Sequence, residues 1–182
     1  MKRRKFRLFD KDMNSILKLY FQAFPEDERM PVWMMKAMTL RKGIDFDLYY
    51  LGGRLCAMTY CAVGEGICYV FYLAVESSLR DRGIGSFLLG QLRRDYPGHT
   101  VIVEIERPDS SAENNAERLR RKGFYLRNGF AESGREVSYG GVDYQVLSSK
   151  ELDEQALERL IARMTFGLWH KGRAKPLKED PQ

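Results

Sequence analysis

The order of apolar runs, turns and periodic segments predicts a mixed α/β domain with a mostly antiparallel sheet flanked by helices. Three observations carry this. Residues 68–75, CYVFYLAV, form a continuous apolar, aromatic and β-branched run of strand length. A glycine-rich turn, Arg80-Asp81-Arg82-Gly83-Ile84-Gly85-Ser86, follows. Ile84, Phe87, Leu88 and Leu92 then recur at three- and four-residue steps, the spacing of one buried helix face. Strand, turn and helix therefore succeed one another around two glycines. Free amides in a helix's first turn favour an anion, and glycine lets the backbone come close to it.

In chain order, residues 5–9 read as a first strand, with Asp10 as the cap of a helix whose stripe is Met13, Ile16, Leu17, Tyr20 and Phe24. Pro25 ends it, and the acidic loop Glu26-Asp27-Glu28 follows. Pro31 suits the start of a second helix, whose end is signalled by Arg41, Lys42 and Gly43. Residues 48–51 and 54–63 form a hairpin signal around Gly52-Gly53, and Gly64-Glu65-Gly66 turns into the central strand. Tyr96-Pro97-Gly98 closes the glycine-loop helix. Residues 100–106 alternate as a strand that places Glu104 and Glu106 on one face. Ser110 with Glu113 reads as a capping box for a helix carrying Ala116, Leu119 and Tyr125, stopped at Asn128-Gly129. Residues 130–139 and 142–147 pair through Gly140-Gly141. Ser148 and Glu151 then cap a last helix with Leu157, Leu160, Ile161, Met164 and Leu168 on one face.

Composition narrows the classes. The chain has 182 residues, 44% of them hydrophobic, enough for one domain with a substantial core. One domain is expected over 1–170, with 171–182 as a loose polar tail. No apolar run approaches membrane-spanning length, and the basic start lacks the apolar segment of a signal peptide, so a cytoplasmic location is expected. Cys56, Cys61 and Cys68 are odd in number and lie in strand-like sequence without His or Cys at ligand spacing. Buried reduced thiols and no metal are expected. The net charge of +5 is dispersed rather than interleaved with aromatics along one element, which argues against nucleic acid as the partner. Arg80, Arg82, Arg120, Arg121 and Lys122 instead suit a small ligand bearing several phosphates.

Three phosphate-binding motifs compete for the turn. A P-loop requires Gly-Lys-Ser/Thr, which is missing. A dinucleotide fingerprint requires its first glycine directly after the strand, whereas seven residues intervene and Leu88 fills the sixth motif position. The segment 80–85 instead fits Q/R-x-x-G-x-G/A and resembles the pyrophosphate loop of the GNAT superfamily of N-acetyltransferases. Leu73-Ala74-Val75 before it, the strand 100–106 after it and Gly123-Phe124-Tyr125-Leu126-Arg127-Asn128-Gly129-Phe130 resemble that family's core in order and spacing. The resemblance covers about a third of the chain at motif level.

The resemblance implies the acyl-CoA N-acyltransferase fold, with the sheet splayed at its central strands, and acetyl-CoA as co-substrate. Arg80, Asp81, Arg82, Gly83, Ile84, Gly85 and Ser86 would hold the pyrophosphate, and the backbone of Leu73, Ala74 and Val75 the pantetheine arm. Tyr125 would be the general acid to the departing thiolate, and Glu104 a candidate base, with deprotonation through a water chain as its rival. Glu26, Asp27 and Glu28 would lie on the acceptor side and could receive a cationic substrate; exposed capping charge is the plainer alternative. The implied reaction moves an acetyl group to a primary amine of a small molecule by direct attack in a ternary complex. A peptide or protein amine, or a non-catalytic acyl-CoA-binding or sensing domain, remain alternatives, and the state is monomer or homodimer. One position departs from the pattern: Arg118 stands where many members carry an asparagine that touches the pantetheine, with Asn114 and Asn115 further upstream.

Overall fold

The computed structural model describes residues 1–139, 141–165 and 174–175. The chain gathers into two compact units, one of Met1–Gly64 with Val70–Pro97, the other of Glu65–Tyr69 with the described residues from Gly98 onward.

In the first unit, β1 (Lys2–Lys5), β2 (Ile44–Leu51) and β3 (Arg54–Gly64) form an antiparallel meander. Gly52 and Gly53, both at positive φ, make the β2–β3 turn that their sequence predicts. The first strand is shifted from the expected 5–9. Lys2–Lys5 pair with Tyr50–Asp47, and the chain then leaves the sheet through the Phe6 amide, which donates to the Phe46 carbonyl at 2.8 Å. Asp10 holds that exit. Its carboxylate accepts from the amides of Arg7 (3.2 Å) and Asp12 (3.0 Å) and from the Arg4 guanidinium at 2.5 and 2.6 Å. Phe9 consequently points outward, 92% exposed.

Helix α1 (Met13–Ala23) has Asp12, not Asp10, at its N-cap, and no side chain caps it. Its buried face is Ile16, Leu19 and Tyr20, rotated from the expected stripe so that Leu17 is only half-buried. A single 3₁₀ turn over Glu26–Glu28 leads to α2 (Val32–Met38), which begins after Pro31 as expected. It stops at Thr39, earlier than the expected Gly43, where the Thr39 hydroxyl donates to the Lys36 carbonyl at 2.7 Å. Strand β4 (Ile67–Val75) gives its last six residues to this unit. A 3₁₀ turn over Ser77–Leu79 and helix α3 (Ile84–Asp95) complete it. The buried residues of α3 are Leu88, Leu89 and Leu92. Phe87, expected on that face, is 45% exposed and lies under the Arg94 guanidinium, 5.8 Å from its ring centre.

In the second unit, β5 (Thr100–Glu106) pairs antiparallel with β7 (Val142–Ser148), which pairs antiparallel with β6 (Ala131–Tyr139). A register shift between Glu132 and Glu136, with Gly134 at φ 82°, bulges β6. β5 is buried on both faces rather than alternating. Helix α4 (Asn115–Arg127) starts after the expected Ser110/Glu113 box. Asn114 is the N-cap and no side chain caps the helix, while Asp109 makes the local turn by accepting from the Ser111 amide at 2.9 Å. Leu119, expected inward, is 53% exposed. Helix α5 (Glu154–Thr165) is capped by Asp153, whose carboxylate accepts from the Ala156 amide at 2.9 Å; Ser148 lies inside β7. Ala156, Leu157, Leu160 and Met164 form its buried face, and the expected Leu168 lies outside the described residues. So does the expected tail, except for the short strand β8 (Ala174–Lys175), which pairs with Val137 and Glu136.

Candidate acyl-coenzyme A site

The site begins with the backbone around Gly83. This residue caps α3 at φ 76°, a left-handed conformation that glycine adopts without steric cost. Asp81 also takes positive φ (59°), which an L residue other than glycine seldom does. The two left-handed residues reverse the chain from the 3₁₀ turn into the helix. The first α-helical bond runs from the Phe87 amide to the Gly83 carbonyl at 2.9 Å. The amides of Ile84, Gly85 and Ser86 therefore precede any intrahelical acceptor, at the positive end of the helix dipole. A Cβ built on Gly83 meets no atom within 4 Å, so this glycine serves backbone shape and leaves open space in front of it. Arg80, Asp81 and Arg82 are exposed. Arg80 is steadied by a long bond from its Nε to the Val75 carbonyl, 3.4 Å.

The strand leading into this turn is firmly seated. Leu73 and Val75, with Leu79 and Ile84, pack on a buried cluster of Tyr49, Cys56, Ala57 and Leu88. Ala74 on the opposite face is buried. After the strand, the Glu76 amide donates to the Cys56 carbonyl at 2.8 Å, and the Glu76 carboxylate accepts from the Ser78 amide at 2.9 Å, capping the 3₁₀ turn. Glutamate is not among the short side chains that usually cap a turn, so its sequence carries no signal for this role.

Acidic residues of the 26–28 loop belong to the same unit. Glu26 is exposed and Glu28 half-buried. The loop is fixed through its backbone by Tyr72 of β4: the Met30 amide donates to the Tyr72 hydroxyl at 2.8 Å, and that hydroxyl donates to the Glu28 carbonyl at 3.1 Å. Tyr72 was legible in the sequence only as strand core. The bonds depend on a loop forty residues away.

The second unit carries Glu104 and Tyr125. Tyr125 is buried on α4, with its ring edge-on to Phe124 (5.1 Å) and Phe130 (5.5 Å). Burial pushes its phenol up to about 12, partly opposed by the Arg121 charge. The group is thus a protonated donor throughout the neutral range. Glu104 is half-buried on β5, opposite Val146 of β7. Glu106, two residues on, has a structural role: its carboxylate accepts from Arg118 Nε at 2.8 Å and from the Asn114 side-chain amide at 3.0 Å. Arg118 Nε also donates to Asn114 Oδ1 (2.7 Å), and its Nη1 donates to the Arg107 backbone carbonyl (3.0 Å). The arginine at the divergent position is therefore engaged in tying α4 to the end of β5. No group of three or more His, Cys, Asp or Glu among the described residues could hold a metal ion.

None of the family models matches the sequence, and neither does any curated protein. Solved structures do. The chain superposes on a Bacteroides thetaiotaomicron protein assigned to the GNAT acetyltransferases with a TM-score of 0.73 at 18% identity, over 92% of this chain and 99% of that one. An aminoglycoside 6′-N-acetyltransferase complexed with coenzyme A gives a TM-score of 0.64 at 15% identity, over 81% and 96%. The ribosomal-protein-S18-alanine N-acetyltransferase of Escherichia coli gives 0.60 at 17%, over 81% and 92%. The fold is that of the GNAT acyl-CoA N-acyltransferases: a mixed α/β architecture whose strands pair mostly antiparallel and, among the described residues, are flanked by five helices.

Proposed function

We propose that the chain is an N-acetyltransferase that moves an acetyl group from acetyl-CoA to a primary amine of a small molecule by direct attack in a ternary complex. The observation that carries this reading is the Gly83-capped start of α3, with three consecutive amides ahead of the first helical bond and open space before Gly83. Those amides, with Arg80 and Arg82, hold the pyrophosphate. The backbone of Leu73, Ala74 and Val75 takes the pantetheine arm by strand-like pairing.

An ammonium ion has no lone pair, so the acceptor must lose a proton before it attacks the thioester carbonyl. Glu104 takes that proton, directly or through water. The carbonyl carbon gains the C–N bond, the C–S bond breaks, and the thiolate of coenzyme A leaves. Tyr125 protonates that thiolate, and its phenolate takes back, through water, the second proton that the acylated nitrogen sheds on becoming an amide. Burial keeps this phenol protonated through the neutral range, so its proton is present when the thiolate leaves. Glu26 and Glu28 draw the cationic amine to the acceptor side; the Asp27 side chain expected to join them lies outside the described residues.

The test is thiol release from acetyl-CoA with a panel of polyamines, amino acids and aminoglycosides, alongside peptides with free amino termini. Release with a small amine supports the reading. Release with peptides alone selects the protein-acceptor alternative, for which the likeness to the ribosomal-protein acetyltransferase speaks. Coenzyme binding by calorimetry without release on any acceptor selects a binding or sensing domain.

A further inference from the structure

We infer that the Tyr72 hydroxyl is a positioning group for acceptor binding, a tie that holds the 28–30 backbone of the acidic loop to the strand carrying the coenzyme arm; this rests on the acetyltransferase reading of that strand. Tyr72 is buried, and its ring packs edge-on against Tyr20 (5.0 Å) and Phe24 (4.8 Å). A phenylalanine would supply that packing equally well. The hydroxyl adds something a ring cannot. It donates to the Glu28 carbonyl (3.1 Å) and accepts from the Met30 amide (2.8 Å), so one oxygen spans both ends of the Glu28-Arg29-Met30 segment.

The Tyr20 hydroxyl donates to the Met30 carbonyl at 3.1 Å, so Met30 is held at both its amide and its carbonyl. Both anchors are tyrosines, one on α1 and one on β4. Burying a hydroxyl is unfavourable unless it is bonded, so these contacts stabilise one loop conformation against others. Tyr72 directly precedes Leu73-Ala74-Val75. The backbone that carries Glu28 and directly follows Glu26 is thereby registered to the strand that would hold the acyl donor. Loss of the tie should loosen acceptor binding while the coenzyme contacts proposed for Leu73 to Val75 and Arg80 to Ser86 stay as they are.

Tyr72→Phe tests this, with Tyr20→Phe as a second variant that removes the other anchor. The expected result for Tyr72→Phe is an acceptor KM about tenfold higher, from two lost bonds whose net values partly offset. Coenzyme affinity and kcat should stay within about twofold. Backbone hydrogen exchange gives a readout independent of turnover: the Met30 amide should exchange about tenfold faster in Tyr72→Phe. An unchanged Met30 amide, an unmoved acceptor KM, or coenzyme affinity falling in step with it overturns the inference. If the wild-type chain acetylates no amine at all, the enzyme reading fails, and the Met30 exchange rate alone decides whether the tie exists.

Discussion

At the scale of single residues, buried polar groups divide into those that hold the fold and those available to chemistry. Asp10 belongs to the first kind. The Arg4 guanidinium and two backbone amides bring its carboxyl down to about 2, despite the opposing effect of burial. The unfolded value is about 3.9, so the folded chain favours the ionised form. Its stabilisation is therefore complete above about pH 4 and is lost as pH falls through 2. Asp10→Asn should lower unfolding stability by about 2 kcal/mol at neutral pH. The deficit should vanish near pH 2, as measured by denaturant titrations at several pH values. On the proposed mechanism Tyr125 belongs to the second kind. Tyr125→Phe preserves the ring contacts with Phe124 and Phe130, so kcat should fall by about 100-fold with coenzyme affinity unchanged. Because the phenol titrates near 12, the wild-type rate should show no falling limb between pH 7 and 10. A coenzyme-binding defect with normal turnover would remove Tyr125 from catalysis.

At the scale of elements, the start of α3 and the join of α4 to β5 show what backbone geometry and ion pairing contribute. Gly83→Ala puts a Cβ into open space, so it introduces no clash, yet it must hold φ near 76°. That conformation costs an L residue about 1–2 kcal/mol, and relieving it turns the Ile84, Gly85 and Ser86 amides away from their common direction. Coenzyme A affinity by calorimetry should fall by about tenfold in Gly83→Ala. It should recover in part in Gly83→Asn, because asparagine tolerates left-handed backbone. Arg118 makes the complementary case. Replacing it with alanine leaves the Glu106 carboxylate buried with only the Asn114 amide, and unfolding free energy should drop by about 2–3 kcal/mol. If Arg118→Ala unfolds like wild type, the pair contributes nothing and the asparagine of the resembled motif was replaced without structural consequence.

At the scale of the whole molecule, the distribution of reactive and charged groups sets the behaviour of the chain. All three thiols are buried and none is in a disulfide, and burial raises the Cys56 thiol above its ordinary value. A thiol reagent should label none of them at neutral pH in the folded state and all three in denaturant, and reducing agent should leave the melting temperature unchanged. Rapid labelling of the native chain would contradict their burial. No helix among the described residues is long and apolar enough to cross a membrane.

The sequence by itself determined the order of elements and the loop, because these depend on local preferences. The run 68–75 became β4 almost residue for residue, Gly52-Gly53 made its turn, and Gly83 took the left-handed cap that its motif requires. Caps and faces were less legible where several polar residues compete. Asp10, Ser110 and Ser148 were all plausible caps, but β1 register drew Asp10 to Arg4, and the helices began where packing placed Asp12, Asn114 and Asp153. Phe87 and Leu119 fit a helical period yet face outward, because the face a helix buries is chosen by the neighbour it meets. Tertiary structure alone decided the long-range polar partners: Tyr72 with Glu28 and Met30, and Arg118 with Glu106. A hydrogen bond across many residues leaves no period in the sequence. It exists only once both backbones have been fixed in place by everything between them.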